Sequence, residues 1–360
     1  MIDQSRIRDI VAELGGYSGE PLRFMEICGT HTSSIFRHGI RDLLGNSIHL
    51  ISGPGCPVCV TPAVYIDRAL AWARRPGCVV LSFGDMMKVP GSEGESLGQA
   101  QGNGARVQII YAPHEVLTMA GNSPETTFVV AAVGFETTIP SYALLVQEAG
   151  RLGLSNIRLL TALKRLIPAL HFICRNETDI SGYLAPGHVS AILGSEVYIP
   201  LAEKYHRPFT VAGFHGEQIL VAIFDLMRQC RGKRAEVHNF YPEAVKAEGN
   251  LKAQAVIDSC FEPGVAAWRG LGSIEESGFY LKEELREFDG GSFGIEDTTP
   301  ENPACRCAQV VVGRVAPDEC PWFGSVCTPL NPKGPCMVSG EGSCGIWYRY
   351  RVPQGTALRR

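Results

Sequence analysis

Short apolar runs that each stop at Gly, Pro or a polar residue recur along the first two thirds of the chain, and they constrain the fold more tightly than any other feature. SIHLISGPG, CVVLSFGD, RVQIIYAP, TFVVAAVGFETT, IRLLTALK, SEVYIP and PFTVAGF have the length and composition of buried parallel strands. Between them lie amphipathic segments such as AVYIDRALAWARR, HEVLTMAGN, IPSYALLVQEAGRLG and QILVAIFDLMRQC. Strand, loop and helix in repetition predict an α/β fold whose mostly parallel sheets are covered on both faces. With 360 residues, 45% of them hydrophobic, the chain exceeds one core. Two tandem α/β units are expected, residues 14–122 and 123–235, divided near GNSPET at 121–126 where turn formers cluster. Beyond residue 236, two segments read as helical, PEAVKAEGNLKAQAVIDSCF and SGFYLKEELREFD, lead into a Cys-rich tail. Residues 236–360 form a third, helical and Cys-rich unit in this reading, and the N-terminal helix, 1–13, is expected to pack there. The tail has too few apolar runs for a core of its own, so it must rely on a cofactor or on docking.

Charge excludes one broad class of partner. Lys and Arg number 33 against 37 Asp and Glu, a net charge of -4, which leaves no basic face to neutralise a nucleic-acid backbone. The N-terminus has no signal-peptide pattern and no apolar run could cross a bilayer, so a cytoplasmic protein without membrane contact is expected. In that reducing compartment thirteen cysteines need a reason other than disulfides. Cys78, Cys174, Cys230 and Cys260 are scattered and read as small buried hydrophobes. The other nine fall into groups.

Six thiols crowd the tail: Cys305, Cys307, Cys320, Cys327, Cys336 and Cys344, with Trp322, Phe323, Trp347 and Tyr348 nearby. Four thiolates suffice for an iron–sulfur cluster or a structural zinc. The spacing lacks the paired C-x-x-C knuckles of zinc ribbons, which favours a cluster, and two thiols are left over. An extended C-R-C would point Cys305 and Cys307 to opposite sides.

Near the N-terminus, FMEICGTHTSSIF places Cys28 and His31 at a loop or helix start, where backbone N–H groups are expected to lower the thiol pKa. A metal ligand pair, a Cys–His nucleophile and a capped helix start with an incidental His all fit. SGPGCPVCVTP holds Cys56 and Cys59 in a frame of glycines and prolines. With no second C-x-x-C nearby, a redox dithiol ranks above a structural metal. Weaker signals are Asp85 and Lys88 in FGDMMKVPGSEGESLGQAQGNG and Glu136 and Thr137 in GFETT, at predicted strand ends, and His188 beside a tight turn in APGHVSAILG. Thr30 belongs with them as a pocket residue. Neither G-x-G-x-x-G nor a P-loop occurs in a context that would support nucleotide binding.

CGTHT at 28–32, GPGCPVC at 53–59, FGDMMKVPGS at 83–92, GFETT at 134–138, PGHVS at 186–190, ECPWFGSVCTP and MVSGEGSC occur in order over nearly the whole chain. Together they resemble the HypD family of [NiFe]-hydrogenase maturation proteins. The resemblance implies a redox-active assembly scaffold rather than a conventional turnover enzyme. With its stable partner HypC it would hold a transient iron while cyanide and carbon monoxide ligands are attached. HypE, carrying a thiocyanate made with HypF, would donate cyanide, and the hydrogenase large subunit would be served indirectly. It implies further that Cys28 is the thiolate sharing the iron, with His31 nearby, and that Cys56 and Cys59 form a redox dithiol. A [4Fe–4S] cluster is implied in the tail, assigned to Cys305, Cys320, Cys327 and Cys344, with Cys307 and Cys336 as an extra thiol pair. Exchange of Cys305 with Cys307 is the alternative. The chain departs from the family pattern at His215, where an acidic residue is usual, and after Lys164, where a proline- and methionine-containing stretch is missing. Competing readings are a free-standing iron–sulfur-driven thiol–disulfide reductase, which would not need Cys28, and a binding module with a purely structural cluster.

Overall fold

The computed structural model describes residues 4–297 and 305–351. Its strands are β1 (Leu22–Glu26), β2 (Ile48–Ser52), β3 (Cys78–Ser82), β4 (Val107–Ile109), β5 (Thr127–Gly134), β6 (Ile157–Lys164), β7 (Gly182–Pro186), β8 (Phe209–Ala212), β9 (Val237–Asn239), β10 (Phe261–Trp268) and β11 (Gly272–Leu281). They form two sheets, ordered β2-β1-β7-β8-β9 and β10-β11-β6-β5-β3-β4. The first is parallel throughout. The second is parallel from β6 to β4 and gains an antiparallel edge through β11 and β10. The α/β class with mostly parallel sheets is therefore the observed one.

Sheet membership does not follow a division near residue 122. The chain lays down β1 and β2, crosses to build β3 to β6, returns for β7 to β9 and crosses again for β10 and β11. A cut at 122 would separate β3 and β4 from β5, with which β3 shares four paired positions. The central strand is β5, whose TFVVAAVG is buried from Phe128 to Gly134, as a strand with helices on both faces must be. Its following helix, Ile139–Arg151, buries Ile139, Tyr142, Ala143, Leu145, Val146 and Ala149, a spacing near 3.6 that faces the sheet. Each large side chain so buried contributes about 1.5–3 kcal/mol.

Three local expectations are corrected. SEVYIP is no strand: it forms a 3-10 turn at Glu196–Tyr198 and begins the helix Ile199–Tyr205, where Pro200 takes an N-terminal position that needs no N–H. SGFYLKEELREFD is strand and 3-10 turn, because the positive-φ glycines Gly270 and Gly272 reverse the chain into the β10–β11 hairpin. The N-terminal helix, Gln4–Gly15, packs on the first sheet's helix Gly216–Arg231 rather than on the tail.

Docking is how the Cys-rich tail is stabilised. Val310, Val311, Cys336 and Met337 share one core with Met25 of β1 and the residues around Cys56 and Cys59. The last helix, Ser343–Arg351, sets Trp347 edge-on to Phe36 at 5.3 Å and stacks Tyr350 on the same ring at 5.7 Å. No helix among the described residues is long and apolar enough to cross a membrane.

Candidate functional site

Every N-terminal motif residue lies just beyond the C-terminal end of a parallel strand, where open α/β sheets leave room for ligands. Cys28 follows β1, Cys56 and Cys59 follow β2, and His188 follows β7. Asp85 and Lys88 follow β3, and Glu136 and Thr137 follow β5.

Cys28 is extended and caps the helix Gly29–Arg37. The next strand delivers the dithiol turn against it: Gly53 N–H donates to Glu26 O at 2.8 Å, and a Cβ on Gly55 would lie 2.5 Å from both Cys28 N and Cα. Only glycine permits that approach. Within the turn, Cys59 N–H donates to Cys56 Sγ at 3.3 Å and the Thr61 hydroxyl to Pro57 O at 2.8 Å.

The helix start does not make Cys28 acidic. Burial pushes its thiol up to about 11, the Glu341 carboxylate adds to the rise, and the backbone N–H groups of His31 and Thr30 offset only part of it. This reverses the expectation of a lowered pKa: burial outweighs the helix start, and the added charge comes from a loop at the far end of the chain. Thr30 Oγ1 donates to Glu341 Oε1 at 3.0 Å, and Gly29 packs directly against the Glu341 backbone. Two residues earlier, Ser339 Oγ donates to Asp85 Oδ2 at 3.1 Å. The tail thus closes over both the Cys28 and Asp85 motifs.

His31 Nε2 lies 3.1 and 3.0 Å from the carbonyl oxygens of Ala212 and Gly213. Two acceptors require that this nitrogen carry the proton, which leaves Nδ1 with a lone pair. Nδ1 is buried and has no partner. Burial lowers the His31 pKa to about 4, so the ring is neutral. Phe214 lies between His31 (4.9 Å) and the exposed His188 (4.1 Å).

Glu136 is buried; its Oε1 accepts the Leu166 N–H at 2.8 Å while Oε2 has no partner. Burial pushes its pKa up to about 7. Tyr198 is buried and hydrogen-bonded to Ser190 at 2.8 Å, and burial raises its pKa. Thr137 is exposed, and Lys88 is exposed on a groove that Cys305 and Cys307 also line.

All thirteen thiols are unbridged. Cys305, Cys307, Cys320, Cys327, Cys336 and Cys344 line one cavity with Val310, Phe323 and Met337. Cys305 and Cys307 face the same space, not opposite sides, because Arg306 turns the chain into the helix Cys307–Val311. Side-chain contacts link Cys56 to Cys59, Cys59 to Cys336, Cys336 to both Cys307 and Cys344, and Cys307 to Cys305. Among the described residues no three His, Cys, Asp or Glu side chains converge on a point that could hold a single metal ion. A set made only of sulfur donors around an apolar cavity suits a polynuclear iron–sulfur group, whose thiolates surround it from separate directions. Cys78, Cys174 and Cys260 are buried elsewhere, and Cys230 donates to Ser181 O at 3.4 Å.

Sequence reasoning did not single out Ser339, Glu341, Tyr198 or Phe214 as site residues. Glu341 carried a signal, since SGEG precedes Cys344, whereas Tyr198 lay in a segment misread as strand.

The family model HypD, described as "Hydrogenase formation hypA family", matches residues 4–351. The chain is 42% identical over 337 residues to the hydrogenase maturation factor HypD of Azotobacter vinelandii, covering 91% of this chain and 89% of that one. It is 38% identical over 355 residues to HypD of Escherichia coli (strain K12), covering 98% and 95%. A putative hydrogenase expression/formation protein of Methanocaldococcus jannaschii is 39% identical over 336 residues, covering 92% and 93%. With its motifs gathered at the strand ends and this match running almost from end to end, the chain belongs to the HypD family.

Proposed function

We propose that the protein is a hydrogenase maturation factor which, with HypC, forms the scaffold for an Fe(CN)2CO unit. In this reading it accepts cyanide from HypE and passes electrons through its thiols. The observation that carries the reading is the unbroken file of sulfurs from Cys56 and Cys59 through Cys336 and Cys307 to Cys305, beginning beside Cys28.

Cys28 supplies the thiolate for the iron, which enters as cargo. Because its thiol is protonated at neutral pH, ligation displaces a proton. The groups around it bear on that loss in opposite ways: the backbone N–H groups of His31 and Thr30 favour it and the Glu341 carboxylate opposes it. Release of cyanide from a thiocyanate takes two electrons and leaves a thiolate on the donor. Oxidation of Cys56 and Cys59 to a disulfide provides two electrons and two protons. Cys336, in contact with Cys59, is placed to restore the dithiol by exchange, with Cys307 as the resolving thiol. A [4Fe–4S] cluster held by Cys305, Cys320, Cys327 and Cys344 would supply the reducing equivalents when bound.

The test is iron and sulfide content with an infrared spectrum of anaerobically purified protein in complex with HypC, for wild type and Cys28→Ala. The expected result is cyanide and carbonyl stretching bands in wild type only, with cluster iron retained in both. Cluster iron without diatomic bands in either protein, despite active partners, would favour the thiol–disulfide reductase instead.

A further inference from the structure

The hairpin tip between β10 and β11 is wedged between the two thiol regions. Arg269 N–H donates to Val60 O at 2.8 Å and its Nε to Thr61 O at 3.2 Å, so it grips the backbone immediately after Cys59. The next residue, Gly270, has φ of 81°, and a Cβ there would lie 2.7 Å from Ala308 Cα, in the helix that Cys307 begins. The guanidinium shares the lining of a groove of about 960 Å3 with Cys305 and Cys307.

One atom of this arrangement is unexplained by the protein alone. Arg269 Nη2 is buried and has no hydrogen-bond partner, and no carboxylate among the described residues pairs with the guanidinium. Arg269 as a whole is half-buried, but an Nη2 donor shut away without an acceptor is costly, and an anion would complete it. Of the four thiols assigned to the cluster, Cys305 is the one on this groove. Four thiolates around an iron–sulfur group would make the neighbouring cavity anionic.

We propose that Arg269 is the charge partner of the thiolate-ligated cluster on its Cys305 side, a positioning residue that raises the reduction potential by stabilising the more negative, reduced form. This rests on the cluster reading above. Through Val60 and Thr61 the same residue fixes the dithiol turn relative to the cluster cysteines, so charge and spacing are set by one side chain.

The experiment is a mediated redox titration, followed by electron paramagnetic resonance, of the anaerobically purified full chain as wild type, Arg269→Gln and Arg269→Lys, with iron, sulfide and circular dichroism measured on each. In Arg269→Gln the ratio of reduced to oxidised cluster at the wild-type midpoint is expected to fall about tenfold, a shift of about 59 mV for a one-electron couple. Arg269→Lys, which keeps the charge, should recover most of it. An unmoved potential in Arg269→Gln at full iron content would overturn the proposal, as would equal shifts in both variants. If Arg269→Gln loses the cluster, retention in Arg269→Lys supports the charge role and loss in both overturns it. Absence of iron and sulfide from wild type would overturn the cluster reading itself, and this proposal with it.

Discussion

Replacing Glu136 by glutamine isolates the energetic cost of a carboxyl group held inside the fold. The side chain is buried with one oxygen unpartnered, and burial raises its pKa from 4.5 to about 7. A raised carboxyl pKa means that the folded state holds a proton the unfolded state has released between pH 4.5 and 7. Stability contributed by this group is therefore full below pH 4.5, falls as pH rises to 7, and is constant above. The rise from 4.5 to about 7 corresponds to about 3 kcal/mol. Glutamine has the same shape and can still accept the Leu166 N–H, but it does not titrate. Whatever fixed cost its buried amide carries, the stability gap between Glu136→Gln and wild type should move in favour of glutamine by about 3 kcal/mol between pH 4.5 and pH 8. Urea unfolding of metal-free, reduced protein across that range measures the gap. Lys164, whose pKa burial lowers to about 7, acts between pH 7 and 10.5 with stability rising as pH rises, and it is common to both proteins. Parallel pH profiles for the two proteins would refute the argument that burial raises the Glu136 pKa to about 7.

Gly55→Ala places a Cβ against Cys28 backbone atoms that cannot swing aside, so a loss of about 1–3 kcal/mol is expected by urea unfolding; unchanged stability would show that the turn can retreat from Cys28 at no cost. The His31 ring should give nitrogen NMR shifts of the neutral form protonated at Nε2 down to about pH 5, because its folded pKa is about 4. An imidazolium signal at pH 6 would contradict the reading that burial keeps the ring neutral. Gly29→Ala should expel the Glu341 loop and, by readmitting water, bring the Cys28 thiol back toward its ordinary range. A faster reaction with iodoacetamide at pH 8 reports this, and an unchanged rate would mean that the loop is not what buries the thiol.

How far the sequence was legible depended on whether the deciding contact was local. The run TFVVAAVG reads as a buried strand, and the loops holding Asp85, Lys88, Glu136 and Thr137 read as strand ends, because each signal lies within about ten residues. Pairing of β1 with β7 was not legible, since Phe24 and Gly182 meet only after the chain has built most of a second sheet. GYLAP passed unnoticed as β7 because a strand of five ending in proline has no periodicity to detect. The Cys28 pKa failed for the same reason: local N–H groups favour thiolate, but burial in the folded chain outweighs them, and the Glu341 charge that adds to it meets Thr30 across 311 residues. Cys305 and Cys307 were set on opposite sides by an extended-chain rule that a single turn at Arg306 cancels.

Electron transfer along the sulfur file is the central claim, and it passes through one atom, the Cys336 sulfur between Cys59 and Cys307. The most direct measurement is the rate at which the Cys56–Cys59 disulfide is re-reduced when electrons enter through a low-potential mediator at a poised electrode, read by thiol trapping and mass spectrometry. Cys336→Ser should slow that rate at least about tenfold, whereas Cys174→Ser, a buried thiol outside the file, should leave it unchanged. Equal rates in wild type and Cys336→Ser would contradict the account.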